Sequence, residues 1–230
     1  MTSKELPITF SAEMVRAILD GRKTQTRRPI NPDHIRDTEH GLMFRMPRGG
    51  WSLGGYESPY GKPGDMLWVQ EEFKIDDGAK GTIDGGTSYD DDGVYYQGSD
   101  LCRSFEHYKH GFTGEFPVAD ELIRDLAGEW QNPKDMPRWA SRINLENTKV
   151  WVERVRDIGI YDVEAEGLDV ASLVSGYEIE SEMGPGDRPE DFWEAARGQF
   201  EKYWNSIYKT KGQGWATNPW VGVIEFKRIK

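Results

Sequence analysis

The apolar patterning of this chain lies toward its two ends, and this distribution constrains the fold more than any other feature. Residues 74 to 137 begin with many Gly and Asp residues and show no sustained apolar period, apart from a strand candidate at 94 to 96 and a helix candidate at 121 to 130. A segment of this length without a regular pattern is unusual inside a compact domain. We therefore predict one domain over residues 1 to 230, with 74 to 137 as an insertion into a core built from the flanking sequence.

The N-terminal flank predicts a strand, a helix, a loop and a second strand. Residues 8 to 10 are the first strand candidate. Ser11 is placed to cap a helix whose apolar side chains recur at helical spacing, and Gly21 follows where a C-terminal cap belongs. Residues 36 to 62 are rich in Gly, Pro and Ser and are predicted to be loop, and a strand is predicted over 66 to 73.

The C-terminal flank predicts two strands and two helices. A long strand is predicted over 143 to 155, where a shift in the parity of the apolar residues indicates a bulge or a turn. Helices are predicted over 162 to 168 and from Pro189 to Ile207, and a last strand over 220 to 226. Because this spacing is too irregular for a doubly wound parallel sheet, we predict an α+β fold, a small mixed β-barrel with flanking helices.

Composition and charge exclude several classes of protein. The chain has 40 acidic and 29 basic side chains and a formal net charge of −11, which argues against a protein that coats duplex nucleic acid but leaves room for one local basic cleft. Its single cysteine, Cys102, allows no intrachain disulfide. There is no apolar run typical of a signal peptide, and none approaches the roughly 20 residues of a membrane span. We expect a cytoplasmic protein with no membrane partner.

The densest positive cluster follows the first predicted helix. Residues 22 to 29 read Arg-Lys-Thr-Gln-Thr-Arg-Arg-Pro. Lys23 lies close in sequence to Arg22, Arg27 and Arg28, and neighbouring cations or burial lower the pKa of a lysine toward the range of a useful base. A solvated basic surface or a phosphate clamp is the alternative interpretation of the same residues.

Four segments, taken in order, resemble the ASCH domain, a PUA-like β-barrel: residues 19–27, 61–69, 162–168 and 220–227. The most characteristic is the Gly-Arg-Lys-Thr-Gln-Thr-Arg run directly after a short helix. Residues 136 to 142 are similar to a run in longer ASCH proteins of bacteriophages and prophages, several of which are labelled morphogenetic; a phage-encoded protein of this kind would act in the host cytoplasm. The resemblance leaves roughly residues 74 to 135 uncovered.

The resemblance implies a chemistry for three residues. ASCH relatives include a small amidohydrolase that removes the acetyl group from N4-acetylcytidine, and its functional positions fall on Lys23 as the base, Thr26 as the nucleophile or water-positioning residue, and Glu166 as the proton shuttle or orienting residue. A threonine hydroxyl needs such a base before it becomes a nucleophile. The resemblance thus implies amide hydrolysis, without metal or cofactor, on a modified pyrimidine nucleoside or nucleotide, either free or within nucleic acid. The negative net charge favours a small substrate.

Other residues are candidates for substrate binding. Arginines can bind phosphate, and an asparagine can hydrogen-bond the edge of a base. A tryptophan can stack on a base, which contributes about 1–3 kcal/mol per base. The alternatives are a core or pocket-wall role for the tryptophans and a turn role for the asparagine. The candidates are Arg27, Arg28, Trp68, Arg138, Trp139 and Asn218.

No metal site is expected. His107 and His110 with Cys102 nearby do not form a recognised zinc pattern, and residues 90 to 92, three aspartates, lack the terminal glutamate of a calcium loop.

Two other functions remain open at this point. In one, the same cleft binds RNA, single-stranded DNA or a modified base without an amidohydrolase reaction, with a nuclease as a variant. In the other, the chain is a phage assembly or host-interaction protein whose insertion makes the contact.

Overall fold

The computed structural model describes residues 3–76, 81–83, 87–89, 93–96, 101–104, 116–117, 129–170 and 190–229. Over this part of the chain the protein is of mixed α+β class. Its residues group into two compact units, the first comprising Met1–Lys4, Ala17–Met66 and Leu145–Ile229 and the second Glu5–Arg16, Leu67–Asn144 and Lys230. The helix predicted at 121 to 130, except for its last two residues, lies outside the described residues, as does the segment 171–189.

The strands and the three α-helices of the described residues follow one another in chain order, with short 3-10 turns between some of them. They are β1 (Glu5–Thr9), α1 (Ala12–Leu19), β2 (Gln25–Pro29), β3 (Ile35–Thr38), β4 (Gly41–Arg45), β5 (Trp51–Leu53), β6 (Met66–Gln70), β7 (Phe73–Asp76), β8 (Gly81–Ile83), β9 (Thr87–Tyr89), β10 (Gly93–Tyr96), β11 (Leu101–Ser104), β12 (Phe116–Pro117), β13 (Asn144–Arg154), α2 (Ile160–Ala165), α3 (Glu190–Tyr208) and β14 (Trp220–Ile229).

In the first unit the basic run forms a strand beside the last strand of the chain. The sheet order is β13-β14-β2, and β14 pairs with β2 in antiparallel register, with Ile224 opposite Thr26 and Gly222 opposite Arg28. This pairing places Gln25, Thr26 and Arg27 on the buried part of one strand, and Lys23 lies just before that strand.

Helix α3 supplies the main apolar core of the first unit. Its side chains Phe200, Trp204 and Tyr208 pack in one cluster, and the ring centroids of Trp204 and Tyr208 lie 4.3 Å apart. Trp215 and Val223 complete the same cluster. The periodicity that predicted a helix from Pro189 to Ile207 is confirmed, and large rings build a core from few residues.

The prediction of a loop over 36 to 62 is confirmed for residues 54 to 62 but is wrong for residues 36 to 53. Residues 35 to 53 form a three-stranded antiparallel sheet, β3-β4-β5, whose buried Ile35 and Phe44 pack with Ile30. Gly41 begins β4, and the other glycines that suggested a loop lie between or after these strands; Gly49 and Gly54 have φ angles of +89° and +67°. Glycine allows turns with positive φ. The high glycine content of this segment therefore reflects the turns between short strands.

In the second unit β1 lies beside β6, and a four-stranded sheet has the order β12-β11-β10-β7. The strand predicted at 94 to 96 is confirmed as β10, where Tyr96 lies opposite Phe73 and both are buried with Met136 and Ala140. The strand predicted over 66 to 73 is instead divided at Glu71, whose buried carboxylate accepts two hydrogen bonds from the guanidinium of Arg142.

Other boundaries differ by a few residues. The first strand covers 5 to 9 rather than 8 to 10, the predicted helix at 162 to 168 covers 160 to 165, and the strand predicted over 143 to 155 is continuous from 144 to 154, without a turn. The sheets of the described residues have open strand orders that do not close into a barrel. The single domain with an insertion at 74 to 137 stays a prediction.

No helix in the described part of the chain is both long enough and apolar enough to cross a membrane.

Candidate active site

A tight turn after α1 brings Lys23 to the end of α2. Gly21 has a φ angle of +76°, as a C-terminal cap requires, and the amides of Arg22 and Lys23 both donate to the carbonyl of Ala17 at 2.9 Å. Lys23 then forms an isolated antiparallel bridge with Glu166. The amide of Thr24 donates to the carbonyl of Ala165 at 2.8 Å. Backbone hydrogen bonds therefore fix the position of Lys23 before its side chain makes any contact.

Gly167 permits this close approach. It has a φ angle of +90°, and a Cβ atom at this residue would lie 2.9 Å from the Cβ atoms of both Ala17 and Lys23. Only a residue without a side chain fits between these two neighbours. Its carbonyl also accepts a hydrogen bond from the Arg22 guanidinium at 2.8 Å.

Replacing Gly167 with Ala is expected to lower the free energy of unfolding by about 2–5 kcal/mol. An L-residue at positive φ costs about 1–2 kcal/mol, and overpacking against two neighbours adds about 1–3 kcal/mol. Urea unfolding measures the loss. Gly21→Ala is the matched control, because Gly21 also has positive φ but a Cβ atom added there would meet nothing within 4 Å. Equal losses in the two variants would contradict the close contact at Gly167.

Lys23 and Glu166 form a buried ion pair. The Nζ atom of Lys23 donates to Oε2 of Glu166 at 2.8 Å and to the Glu166 carbonyl at 2.8 Å. The exposed fractions of the two side chains are 0% and 3%. The structure thus brings together two of the three predicted catalytic residues, which lie 143 positions apart in sequence.

The pKa of Lys23 is lowered from its ordinary value, chiefly because burial disfavours the charged ammonium. The Glu166 carboxylate opposes this change, and Arg28 and Arg27 add smaller lowering effects. Of the two causes expected from the sequence, neighbouring cations and burial, burial has the larger effect on the pKa of Lys23. Arg22 is exposed and pairs with Asp20 at 3.0 Å.

Arg27 lies on the other oxygen of Glu166. Its Nη1 donates to Glu166 Oε1 at 3.2 Å, its Nε to Glu153 Oε1 at 2.8 Å and its Nη2 to Asp162 Oδ2 at 2.8 Å. Burial alone would lower the pKa of Arg27, but the three carboxylates raise it, and the net direction is upward. A phosphate role for Arg27 therefore requires the guanidinium to leave these carboxylates.

Glu153 was not among the predicted site residues, and Asp162 was only the first residue of a predicted helix. Both approach the site across more than 100 residues of sequence. No local pattern marks either residue, because their partner is supplied by a different strand.

Thr26 and Arg28 lie on β2 with Arg27 between them. Thr26 is buried, and because side chains alternate along a strand, Thr26 and Arg28 share the face opposite to Arg27. Arg28 hydrogen-bonds to Tyr208 and lies 5.9 Å from the ring centroid of Tyr60. Burial alone would lower the pKa of Arg28, but the two tyrosines raise it, and the net direction is upward. The pKa of Tyr208 is also raised, because burial has a larger effect on it than the charge of Arg28, which acts to lower it.

Trp68, Arg138 and Trp139 belong to the second unit. Arg138 bonds Glu5 at 3.0 Å and Asn144 at 2.8 Å, and its guanidinium lies 5.9 Å from the ring centroid of Trp68. Trp139 is 47% exposed, so the alternative of a core role for Trp139 is wrong.

Asn218 has the turn role that the sequence analysis gave as the alternative to base contact. It adopts a left-handed conformation with φ of +45°, and its Oδ1 accepts a hydrogen bond from the amide of Arg156 at 3.1 Å. Its carbonyl accepts from Arg154 at 3.0 Å. The side-chain oxygen thus stabilises the chain just before β14.

Across the described residues, no group of three His, Cys, Asp or Glu side chains is arranged to hold a metal ion. His107, His110 and residues 90 to 92 lie outside those residues, as does the side chain of Cys102.

No family model, curated protein or solved structure matches this chain. The chemistry assigned to the site therefore rests on its own geometry. A buried lysine with a lowered pKa loses its proton more readily than an exposed one, and a carboxylate directly bonded to it fixes its orientation. This combination is suited to a base that accepts and returns a proton.

Proposed function

We propose that this protein hydrolyses an amide on a modified pyrimidine nucleoside or nucleotide, such as N4-acetylcytidine, without a metal ion. The observation that carries this proposal is the contact of 2.8 Å between Lys23 Nζ and Glu166 Oε2 inside the protein, together with the lowered pKa of Lys23. A lysine serves as a base only when its pKa approaches the working pH.

The proposed reaction moves one proton through Lys23. Its neutral amine takes a proton from the Thr26 hydroxyl, or from a water that Thr26 positions, and the resulting oxygen attacks the acetyl carbonyl. The bond between the carbonyl carbon and N4 breaks, and the Lys23 ammonium returns the proton to the leaving amine. In the threonine route a water then releases the acetyl group, so both routes consume one water and yield cytidine and acetate.

Glu166 acts in this proposal as the orienting residue. Its Oε2 accepts from Lys23 and its Oε1 accepts from Arg27, so both oxygens are already engaged. Because the side chains of Lys23 and Glu166 are buried, substrate reaches them only after neighbouring side chains move.

We also propose that the chain has a PUA-like fold of the ASCH type. The mixed α+β class, the basic strand directly after a short helix, and the pairing of that strand with the last strand support this proposal. So does the meeting of Lys23 with a glutamate that follows the short helix α2.

Incubation of the protein with N4-acetylcytidine is expected to release cytidine and acetate, measured by chromatography beside a panel of other N4-acylated cytosine nucleosides. The value of kcat/KM is expected to rise with pH, because neutral Lys23 is the active form, and to level off above the pKa of Lys23. Since that pKa is lowered, the midpoint of the rise lies below pH 10.5, the ordinary lysine value. Absence of product from every nucleoside in the panel would contradict the hydrolase.

A second function, binding of single-stranded nucleic acid or a modified base without chemistry, is favoured by exposed Trp139 beside Arg138. Stacking on an exposed ring with a nearby guanidinium is a common mode of single-strand binding. If no product forms, fluorescence anisotropy with a labelled oligonucleotide tests this function, which requires affinity that falls with salt and with Trp139→Ala.

A further inference from the structure

Three carboxylates converge on one buried guanidinium beside the lysine–glutamate pair. We propose that Glu153 and Asp162 are positioning residues, which hold Arg27 so that it fixes Glu166 against Lys23. This inference rests on the proposed function. It changes the role of Arg27 from a phosphate ligand to the centre of a clamp, defined here as Arg27, Glu153 and Asp162.

The carboxylates together engage all three nitrogens of the guanidinium. Oε1 of Glu153 accepts from Nε and lies 2.8 Å from Nη2, which donates to Asp162, while Nη1 donates to Glu166 and, at 3.3 Å, to Oε1 of Gln25. A guanidinium is planar with donors in fixed directions, so acceptors on all three nitrogens determine its orientation. Glu166 receives only one of these bonds and leaves its other oxygen for Lys23.

The two outer carboxylates are themselves fixed. Oε2 of Glu153 accepts from the indole Nε1 of Trp151 at 2.7 Å, and Oδ2 of Asp162 also accepts from the amide of Gly159 at 3.3 Å. The clamp is therefore anchored on β13 through Glu153 and on the start of α2 through Asp162. Neither carboxylate can readily follow Arg27 if the guanidinium turns.

The clamp also balances charge around Lys23. The charged groups that act on Lys23 are Glu166, Arg27 and Arg28. The side chain of Arg27 is 0% exposed, whereas those of Glu153 and Asp162 are 17% and 26% exposed. The two outer carboxylates therefore lie nearer to solvent and neutralise the positive charge of the buried guanidinium from that side. Without one of them, Arg27 draws Glu166 more strongly away from Lys23.

The test uses Glu153→Gln and Asp162→Asn, with Glu146→Gln as the control. Each substitution removes one negative charge and keeps an acceptor oxygen, for Arg27 in the first case and for both Arg27 and Gly159 in the second. Glu146 lies on the same strand as Glu153 but pairs with Lys227 at 3.0 Å and has no part in the clamp. Seven residues along a strand separate the two glutamates by about 23 Å.

The first readout is the titration of Lys23, followed by NMR of protein carrying isotope-labelled lysine, with the Lys23 signal assigned by its loss in Lys23→Met. The second is the pH profile of N4-acetylcytidine hydrolysis. In Glu153→Gln and Asp162→Asn, the pKa of Lys23 and the rising limb of kcat are expected to move to lower pH. A misplaced catalytic group costs as much as 10²-fold, so kcat is expected to fall about 10- to 100-fold with KM unchanged. Glu146→Gln is expected to match the wild type in all of these.

A Lys23 titration in the folded Glu153→Gln and Asp162→Asn variants that coincides with that of Glu146→Gln would overturn the clamp. A merely structural role would reduce the folded fraction without moving the titration. If the wild type does not hydrolyse any nucleoside, the proposed function fails, but the NMR titration still decides the clamp. If Glu153→Gln does not fold, the Lys23 titration in Asp162→Asn decides whether the clamp exists. Asp162 is more exposed than Glu153, so its substitution disturbs the fold less.

Discussion

Replacing Lys23 with Met is expected to abolish hydrolysis of N4-acetylcytidine and to lower the free energy of unfolding by about 3–5 kcal/mol. Met fills a similar volume but carries no charge, so Glu166 loses one of its two cationic partners while it stays buried. Removing one partner of a buried ion pair costs about this much, because the other charge is left uncompensated. Urea unfolding and chromatographic detection of cytidine measure the two effects.

The double variant Lys23→Met, Glu166→Gln separates stability from activity. It removes both charges of the pair, and replacing a whole buried pair is often close to neutral. We expect it to regain most of the stability that Lys23→Met loses and to remain inactive. Turnover by Lys23→Met would show that Lys23 is not the base. If Lys23→Met were as stable as the wild type, the ion pair between Lys23 and Glu166 would not be buried.

Replacing Arg142 with Met is expected to lower the free energy of unfolding by about 3–5 kcal/mol as well. In the second unit, Nε and Nη2 of Arg142 bond the two carboxylate oxygens of Glu71, each at 2.9 Å, and both side chains are buried. The guanidinium also lies 4.1 Å from the ring centroid of Tyr96. The variant leaves the Glu71 carboxylate buried without its bidentate partner, and urea unfolding measures the loss.

Arg138→Met is the matched control for Arg142→Met. Arg138 lies in the same segment and pairs with Glu5, but both side chains are largely exposed. Ion pairs of this kind contribute about 0–1 kcal/mol. Similar losses in the two variants would contradict the burial of the pair between Arg142 and Glu71.

Helix periodicity was a dependable guide to the fold, and composition was not. The apolar spacing in α1 and α3 predicted both helices within a few residues, because the apolar face of a helix is a local property of the sequence. The loop predicted over 36 to 62 was wrong for residues 36 to 53, because Gly and Pro mark the turns of a small sheet as well as the course of a loop. The alternation that buries Ile35 and Phe44 spans too few residues in each strand to be recognised without its partner strands.

The candidate site was predicted in part. The order of the motifs pointed to Lys23 and Glu166, which the structure joins at 2.8 Å. The same reasoning assigned Arg27 to phosphate, whereas the structure surrounds it with three carboxylates. For Asn218 the sequence allowed both base contact and a turn role, and the structure has the turn.

Local sequence was enough to locate the helices α1 and α3 and the basic cluster around Lys23 in an acidic chain, whereas Glu166 became a candidate only through the family resemblance. These are properties of neighbouring residues and of residue type. The complete burial of Lys23, the dominance of burial in lowering its pKa, and the hold of Glu153 and Asp162 on Arg27 became visible only in the folded chain. Burial and ion pairing depend on groups brought together across 126 to 143 residues of chain, and no local pattern carries that information.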